Sequence, residues 1–238
     1  MFASPPFTIP TVLGMVAVCS LSYAAEKQVI FKDGFNRANA DAVGQGWTSK
    51  GEVELKDKAV LFNVMEEEFR PRIKHTFPLQ KKGRFTVSFL MDWLRQAEGT
   101  WSFYMQLGNS AKIPRVLIYE RDLAKGIGVN LVWGGGTPVA NQAAGTLGYY
   151  SKGKFHGLFV LNNQKVAKTV VKEAVITIEV VMDAGTYTIK CNGKTYPKIP
   201  FDNKGPIDTI RFIANGCSNT GFTKSSIDEV TISKEDNE

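Results

Sequence analysis

Aromatic and planar polar side chains alternate with apolar ones in two stretches of this chain. Tyr104 and Gln106 alternate with an apolar stripe, and Arg115, Tyr119 and Arg121 share one face of a second stretch. Tyrosine rings stack on sugar faces, while arginine and glutamine hydrogen-bond hydroxyl groups. If both stretches belong to one sheet, these residues predict a groove that binds sugars. In the alternative, the tyrosines shield a sheet and the arginines pair with carboxylates.

Trp133 comes directly before a run of glycines, Gly134 to Gly136. Such a loop lets a ligand approach the backbone closely, and Trp133 would then be a stacking platform. The alternative is a core position, which the burial statistics of large apolar residues favour.

Asp92, Glu120 and Glu179 are the candidate catalytic carboxylates. Asp92 with Glu120 or Glu179 would form the acid and nucleophile of a glycosidase if the two carboxyl groups lay close enough together. The distance between the two carboxyl groups depends on the fold and is not given by the sequence. The alternative is that these carboxylates pair with arginines on the surface.

Three cations, Arg70, Arg72 and Lys74, recur at every second position and therefore share one strand face. They would hold carboxylates or sulfates of an anionic glycan. The alternative is a solvated outer face next to Glu66, Glu67 and Glu68, and it is favoured because charged residues are usually exposed.

Asp33 and Asp228 are the candidate metal ligands. They lie near the two ends of the chain, and terminal strands often pair in β-sandwiches, where calcium takes oxygen ligands. A structural calcium ion between them is one interpretation. The other is that each aspartate caps a turn through nearby backbone amides.

Two cysteines, Cys191 and Cys217, would remain after export of the chain. An even count in an oxidising compartment permits one disulfide between them. The alternative is that Cys191 is a buried strand residue on the same face as Tyr187 and Ile189.

The elements that must position these residues are strands. Ile176, Ile178, Val180 and Met182 alternate with other residues, which predicts a strand with one face on a core. A turn follows at 183–185, and Asn192-Gly193 is a strong hairpin signal. No segment has helical periodicity, and about thirteen short strands predict an antiparallel two-sheet sandwich or jelly roll. The other predicted strands are Val29–Phe31, Glu52–Leu55, Ala59–Val64, Phe69–Phe77, Arg84–Leu94, Trp101–Leu107, Pro114–Glu120, Gly128–Trp133, Gly145–Tyr150, Phe155–Leu161, Lys165–Val170, Ile207–Ala214 and Ile227–Ile232.

Residues 1–24 have the pattern of a secretion signal, with an apolar run and small residues before a cleavage site after Ala24. The run is shorter than the roughly 20 residues that span a bilayer. An uncleaved N-terminal anchor and a lipoprotein anchor at Cys19 are the alternatives. Residues 25–238 then form one domain that is secreted, periplasmic or on the cell surface.

The chain has 238 residues and a net charge of +6. A modest basic excess suits an acidic polysaccharide, an anionic surface or no specific partner. Nucleic acid is not expected as a partner, because no basic helix or aromatic-basic RNA motif is present.

Several motifs together resemble the concanavalin A-like lectin/glucanase jelly rolls, especially the laminin-G-like domains of exported bacterial proteins. They are Asp33-Gly34-Phe35-Asn36-Arg37 with Gly46-Trp47, the hairpin Thr186–Lys194, Ile199-Pro200-Phe201, Ile207–Phe212 and Ile227–Val230. The resemblance implies two curved antiparallel sheets, often with sugars on the concave face or its rim. The architecture also hosts hydrolases, lyases and adhesion modules.

The chain departs from the catalytic members of that group. Glu52-Val53-Glu54 lacks the third carboxylate of the laminarinase-type strand, and only Arg70–His75 faintly echoes the alginate-lyase-type motifs. The expected function is therefore that of an exported carbohydrate-binding domain for a polysaccharide or glycan. A glycoside hydrolase or polysaccharide lyase of the same fold is one alternative, and a structural or adhesion subunit of the cell envelope is another.

Overall fold

The computed structural model describes residues 27–64, 70–95, 101–113, 126–133, 144–152, 154–162, 173–196, 198–201, 205–216 and 223–235. Within these ranges the chain forms sixteen β-strands and no helix. Accordingly, none of the described residues forms a helix long and apolar enough to cross a membrane. The predicted strands Pro114–Glu120 and Lys165–Val170, like the predicted signal, lie outside these ranges.

Nine strands form the first sheet, which we call the nine-stranded sheet. They are β1 (Lys27–Asp33), β3 (Val53–Lys56), β4 (Ala59–Val64), β6 (Arg84–Arg95), β11 (Glu173–Val181), β12 (Thr186–Cys191), β13 (Lys194–Thr195), β14 (Ile199–Pro200) and β16 (Thr223–Glu235). The main path is β13-β12-β11-β6-β16-β4-β3, with β1 added to β16 and β14 to β12.

Seven strands form the second, seven-stranded sheet, in the order β10-β9-β8-β7-β15-β5-β2. They are β2 (Thr48–Lys50), β5 (Arg72–Gln80), β7 (Trp101–Gly108), β8 (Ile127–Trp133), β9 (Ala144–Ser151), β10 (Lys154–Asn162) and β15 (Ile207–Gly216). Every pair of strands in both sheets is antiparallel. The structure confirms the predicted two-sheet sandwich.

The first and last described strands, β1 and β16, pair with each other in the nine-stranded sheet. Lys27 pairs with Glu235 at one end of this ladder, and Asp33 pairs with Val230 at the other. Pairing of the terminal strands was expected, and it brings the two segments with the candidate metal ligands side by side.

The β11–β12–β13 meander follows the predicted turn chemistry. Asn192 and Gly193 have φ angles of 47° and 78°, the left-handed conformation that a two-residue hairpin turn requires. The burial of β12 alternates residue by residue, so that Tyr187, Ile189 and Cys191 face the core.

The core is filled by alternate side chains from both sheets. Phe62 and Phe89 come from the nine-stranded sheet, and Phe103 and Phe212 come from the seven-stranded sheet. Their rings meet between the layers, with centroids 5.0 Å apart for Phe89 and Phe212 and 5.3 Å apart for Phe62 and Phe103. Edge-to-face contacts of this kind are favourable aromatic geometry, and they fix the seven-stranded sheet with its other face turned away from the core.

Candidate functional site

The face of the seven-stranded sheet that points away from the main core, its outer face, carries two rows of cross-strand neighbours. One row runs from Thr48 through Lys74 and Arg211 to Gln106. The other runs from Lys50 through Arg72 and Ile213 to Tyr104 and Asn130. Directly opposed residues in a ladder place their side chains on the same face. The outer face therefore gathers polar and basic residues that are far apart in sequence.

A cleft of about 510 Å³ opens on this face, where β2, β5, β15 and the turn after β7 meet. We call it the basic cleft. Its lining residues are Thr48, Ser49, Lys50, Arg72, Ile73, Lys74, Ser110, Ile113, Thr209 and Arg211. The volume is within the roughly 300–1,000 Å³ of typical small-molecule sites.

The lining contains four cations, Lys50, Arg72, Lys74 and Arg211, and no acidic residue among those that the structure describes. Arg72 is half-buried, and this burial lowers the pKa of its guanidinium from the ordinary value. Removing a cation from water disfavours its charged form, and a bound anion would offset this cost of burial. The cleft is therefore suited to negatively charged or strongly hydrogen-bonding ligands.

Arg211 is held in place by Gln106. The two residues are direct partners in the β7–β15 ladder, and Arg211 Nε donates to Gln106 Oε1 at 2.8 Å. Gln106 is fully buried and Arg211 is 4% exposed. Gln106, which the sequence predicts to contact the ligand, is instead buried and orients the neighbouring Arg211 side chain.

One wall of the basic cleft is a turn fixed by Asp208. The Asp208 carboxylate accepts hydrogen bonds from the Ser110 amide at 2.6 Å and from the Ser110 hydroxyl at 2.7 Å. It also accepts one from the Thr209 hydroxyl at 3.0 Å. The same turn is closed by the amides of Lys112 and Ile113, which both donate to the Asn109 carbonyl. The Asp208 carboxylate therefore stabilises the turn that forms this wall of the basic cleft.

Tyr104 lies on the expected face but is only 1% exposed. It forms a small second apolar cluster with Tyr150, Ile213 and Phe155. A buried ring offers no free face to a sugar, so in this structure Tyr104 packs the sheet, as the alternative interpretation had it.

Asn130 is the neighbour of Tyr104 in the next strand and has no exposed surface. Neither its Oδ1 nor its Nδ2 has a hydrogen-bond partner among the described residues. Buried polar groups normally find partners, which makes Asn130 an unusual position on this face.

The side chains of the other predicted groove residues lie outside the described part of the chain. Arg115, Tyr119 and Arg121, together with the candidate carboxylate Glu120, lie outside the described residues. The backbone of Trp133 ends β8 opposite Trp101, while its side chain is also outside the described part. Their roles stay predictions.

The carboxylates Asp92 and Glu179 both belong to the nine-stranded sheet. Glu179 lies opposite Thr86 in the β6–β11 ladder, whereas Asp92 lies opposite Glu173. The six-residue offset corresponds to about 20 Å along a strand, well beyond the roughly 5–9.5 Å between glycosidase carboxyl groups. In addition, Glu179 forms an ion pair with Lys190 at 2.6 Å. These two residues do not form a catalytic pair.

The Asp33 carboxylate accepts four hydrogen bonds from residues that follow it in the chain. It accepts from the Phe35 amide at 2.8 Å, from Arg37 Nη1 and Nη2 at 2.7 and 2.9 Å, and from Trp47 Nε1 at 3.0 Å. Burial alone would raise the pKa of Asp33, but these hydrogen bonds and the Arg37 charge outweigh it, and the pKa is lowered.

Asp228 accepts the Glu229 amide at 2.7 Å, and its pKa is raised by burial and by nearby Glu229 and Asp33. No group of three or more histidine, cysteine or acidic residues suited to a metal ion occurs in the described ranges. The Asp33 oxygens already accept four hydrogen bonds, so a calcium ion there would have to compete with these donors. Both aspartates hold local backbone amides, and calcium binding stays a prediction.

Cys191 is a free thiol, 1% exposed. Burial raises its pKa to about 11. Cys191 is therefore a buried strand residue, as in the alternative interpretation. Cys217 lies outside the described residues, so a disulfide between the two stays a prediction.

With this geometry known, the chain can be compared with other proteins. No protein-family model matches it, and no curated protein matches it by sequence. Among solved structures it resembles the CBM2 module of the evolved Dit of Lactobacillus casei BL23 phage J-1, with a TM-score of 0.62, 11% identity, and coverage of 90% of this chain and 99% of that one. The two chains therefore share the two-sheet jelly-roll fold.

Two further structures share this jelly roll. The Emp47p carbohydrate recognition domain matches with a TM-score of 0.59 and 12% identity over 90% of this chain and 100% of that one. An endo-acting O-glycanase structure from the human gut microbiota matches with a TM-score of 0.56 and 10% identity over 88% of this chain and 100% of that one. The likeness confirms the predicted fold and spans almost the whole chain.

Sequence reasoning missed Lys50 and Arg211 as members of the site. Arg211 interrupts an apolar run between Ile210 and Phe212, and an arginine at such an alternating position was a usable signal. Lys50 had no comparable signal, because only the β2–β5 register places it beside Arg72.

Proposed function

We propose that this chain is an exported glycan-binding domain and that its ligand lies in the basic cleft. The observation that carries the proposal is the cleft itself, because it combines guanidinium and hydroxyl donors on the outer face of the seven-stranded sheet. Solved structures of the same jelly roll include a CBM2 module and a carbohydrate recognition domain, which supports glycan as the ligand class.

The lining has the chemistry that sugars require. Thr48 and Ser110 supply exposed hydroxyls, and Arg72 and Arg211 supply planar forks that donate in fixed directions. Since Arg211 is already oriented by Gln106, little side-chain freedom is lost on binding, which favours affinity. Ile113 adds partly exposed apolar surface for the carbon face of a sugar ring.

A steric block tests both the ligand class and the location. Thr48 is exposed in β2 and lines the cleft, so Thr48→Trp fills the cleft without changing charge. The matched control is Thr195→Trp, because Thr195 is exposed on β13 of the nine-stranded sheet. Binding is measured by affinity electrophoresis and calorimetry against a panel of neutral and charged polysaccharides.

We expect the wild type and Thr195→Trp to bind at least one polysaccharide, and Thr48→Trp to bind it at least tenfold more weakly, a loss of about 1.4 kcal/mol. Absence of binding to every polysaccharide would refute the proposal and favour a structural or adhesion subunit. Equal binding by both variants would refute the location. The same mixtures are assayed for new reducing ends, which the hydrolase alternative predicts.

A further inference from the structure

The basic cleft brings four cations, Lys50, Arg72, Lys74 and Arg211, to one site whose described lining contains no acidic residue. We propose that it selects anionic saccharides, whose sugar units carry a uronate carboxylate or a sulfate ester. This inference rests on the proposed function and specifies the ligand class of the same site.

Three described cations elsewhere in the structure pair with acidic side chains. Arg37 pairs with Asp33 at 2.7 Å, Lys190 with Glu179 at 2.6 Å and Lys32 with Glu229 at 3.3 Å. By contrast, Lys50, Arg72 and Lys74 form no ion pair with an acidic side chain in the described part of the chain. What distinguishes the cleft is that four cations line one small volume with no acidic residue among its described lining.

The register forces like charges together. Lys50 lies directly opposite Arg72, and Lys74 lies directly opposite Arg211. Neighbouring strands are about 4.8 Å apart, and residues two positions apart on one strand are about 7 Å apart. Like charges directly opposite each other destabilise a sheet. A bound anion between the two rows would relieve this repulsion, and that relief adds to its affinity.

Burial of the two arginines strengthens the preference of the cleft for anions. Arg211 is 4% exposed and Arg72 is half-buried, and charges interact more strongly where water is excluded. A guanidinium fork matches the paired oxygens of a carboxylate or sulfate. The Asp208 carboxylate beside the cleft already accepts three hydrogen bonds from the cleft wall. It fixes Ser110 and Thr209 and is not one of the lining residues.

Matched pairs of polysaccharides isolate the effect of charge. Dextran and dextran sulfate share a glucan backbone, and polygalacturonate and its methyl ester share a uronate backbone. Poly-L-glutamate is a polyanion without sugar. Dissociation constants are measured by calorimetry with the full chain at about 0.15 M salt, where charges farther apart than about 8 Å are screened.

The test variant is Arg72→Gln/Lys74→Gln, which removes two of the lining cations. The control is Lys27→Gln/Lys56→Gln, which removes the same charge from exposed positions on β1 and β3 of the nine-stranded sheet. Melting curves verify that each variant is folded. Should the double variant not fold, the exposed residue Lys74 provides the single variant Lys74→Gln.

We expect the wild type to bind the anionic member of at least one pair at least tenfold more tightly than its neutral member. The test variant should lose that preference while the control keeps it. Equal binding to both members would overturn the inference but leave the proposed function standing. Absence of binding to any polysaccharide would overturn both. Binding of poly-L-glutamate as tight as that of the anionic polysaccharides would also overturn the inference, since the site would then be a general polyanion surface.

Discussion

Replacing Asp33 with asparagine removes the acceptor that ties the first strand to the loop after it. The substitution keeps the size of the side chain but leaves one oxygen for four donors. An asparagine oxygen in the place of Oδ1 still serves the Phe35 amide and Arg37 Nη1. The new amide group then faces two donors, Arg37 Nη2 and Trp47 Nε1, so both of those hydrogen bonds are lost.

The expected cost follows from these two bonds. A hydrogen bond to a charged group contributes about 1.5–3 kcal/mol and a weaker one about 0.5–1.5 kcal/mol. Because Asp33 is 7% exposed, the stranded Arg37 charge adds to the loss, and broken buried ion pairs cost about 3–5 kcal/mol. We expect Asp33→Asn to lower the free energy of unfolding by about 3 kcal/mol.

Urea unfolding followed by tryptophan fluorescence measures this change. The control is Asp57→Asn, which removes a carboxylate at an exposed turn position and should change stability by less than about 0.5 kcal/mol. Since the folded pKa of Asp33 is lowered, the difference between wild type and Asp33→Asn is present above the unfolded pKa of about 3.9 and shrinks as the pH falls through the folded pKa. A loss below about 1 kcal/mol at neutral pH would refute the assignment of Asp33 as an internal acceptor.

Three further substitutions test other parts of the structure. A Cβ on Gly148 would collide with the His156 carbonyl oxygen and the Phe155 ring, so Gly148→Ala should destabilise by about 1–3 kcal/mol in urea unfolding. Asn130→Leu removes an amide without partners in the described part of the chain and should leave stability unchanged or raise it by up to about 3 kcal/mol, whereas a loss would show that the amide is hydrogen-bonded in solution. Burial raises the pKa of the Cys191 thiol to about 11, so the stabilisation from keeping this thiol protonated is complete below about pH 9. As the pH rises to about 11, the free energy of unfolding of the wild type should fall by roughly 2 kcal/mol relative to that of Cys191→Ala. Alkylation of Cys191 at neutral pH should require unfolding.

Local patterns predicted most of the strands correctly. Alternation in 176–182 and the left-handed preference of Asn192-Gly193 act over a few residues, so sequence alone contains them. The same alternation placed Tyr104 and Gln106 on the outer face. It did not reveal that both are buried there, because burial depends on neighbouring strands such as β8 and β15.

The site itself depends on long-range register. Arg72 and Lys74 were identified as a possible anion-binding face, but a solvated surface was favoured for them. Only the pairing of β5 with β2 and β15 brings Lys50 and Arg211 alongside and forms a cleft. The separation of Asp92 and Glu179 likewise follows from the β6–β11 register, which no single segment encodes.

Hydrogen–deuterium exchange of the full chain, with and without the tightest-binding polysaccharide of the panel, tests the central claim most directly. A ligand in the basic cleft should slow amide exchange in β2, in 72–74 of β5 and in the 109–113 turn, while β11 and β12 exchange as before. Protection confined to the nine-stranded sheet, or no protection at saturation, would contradict the account.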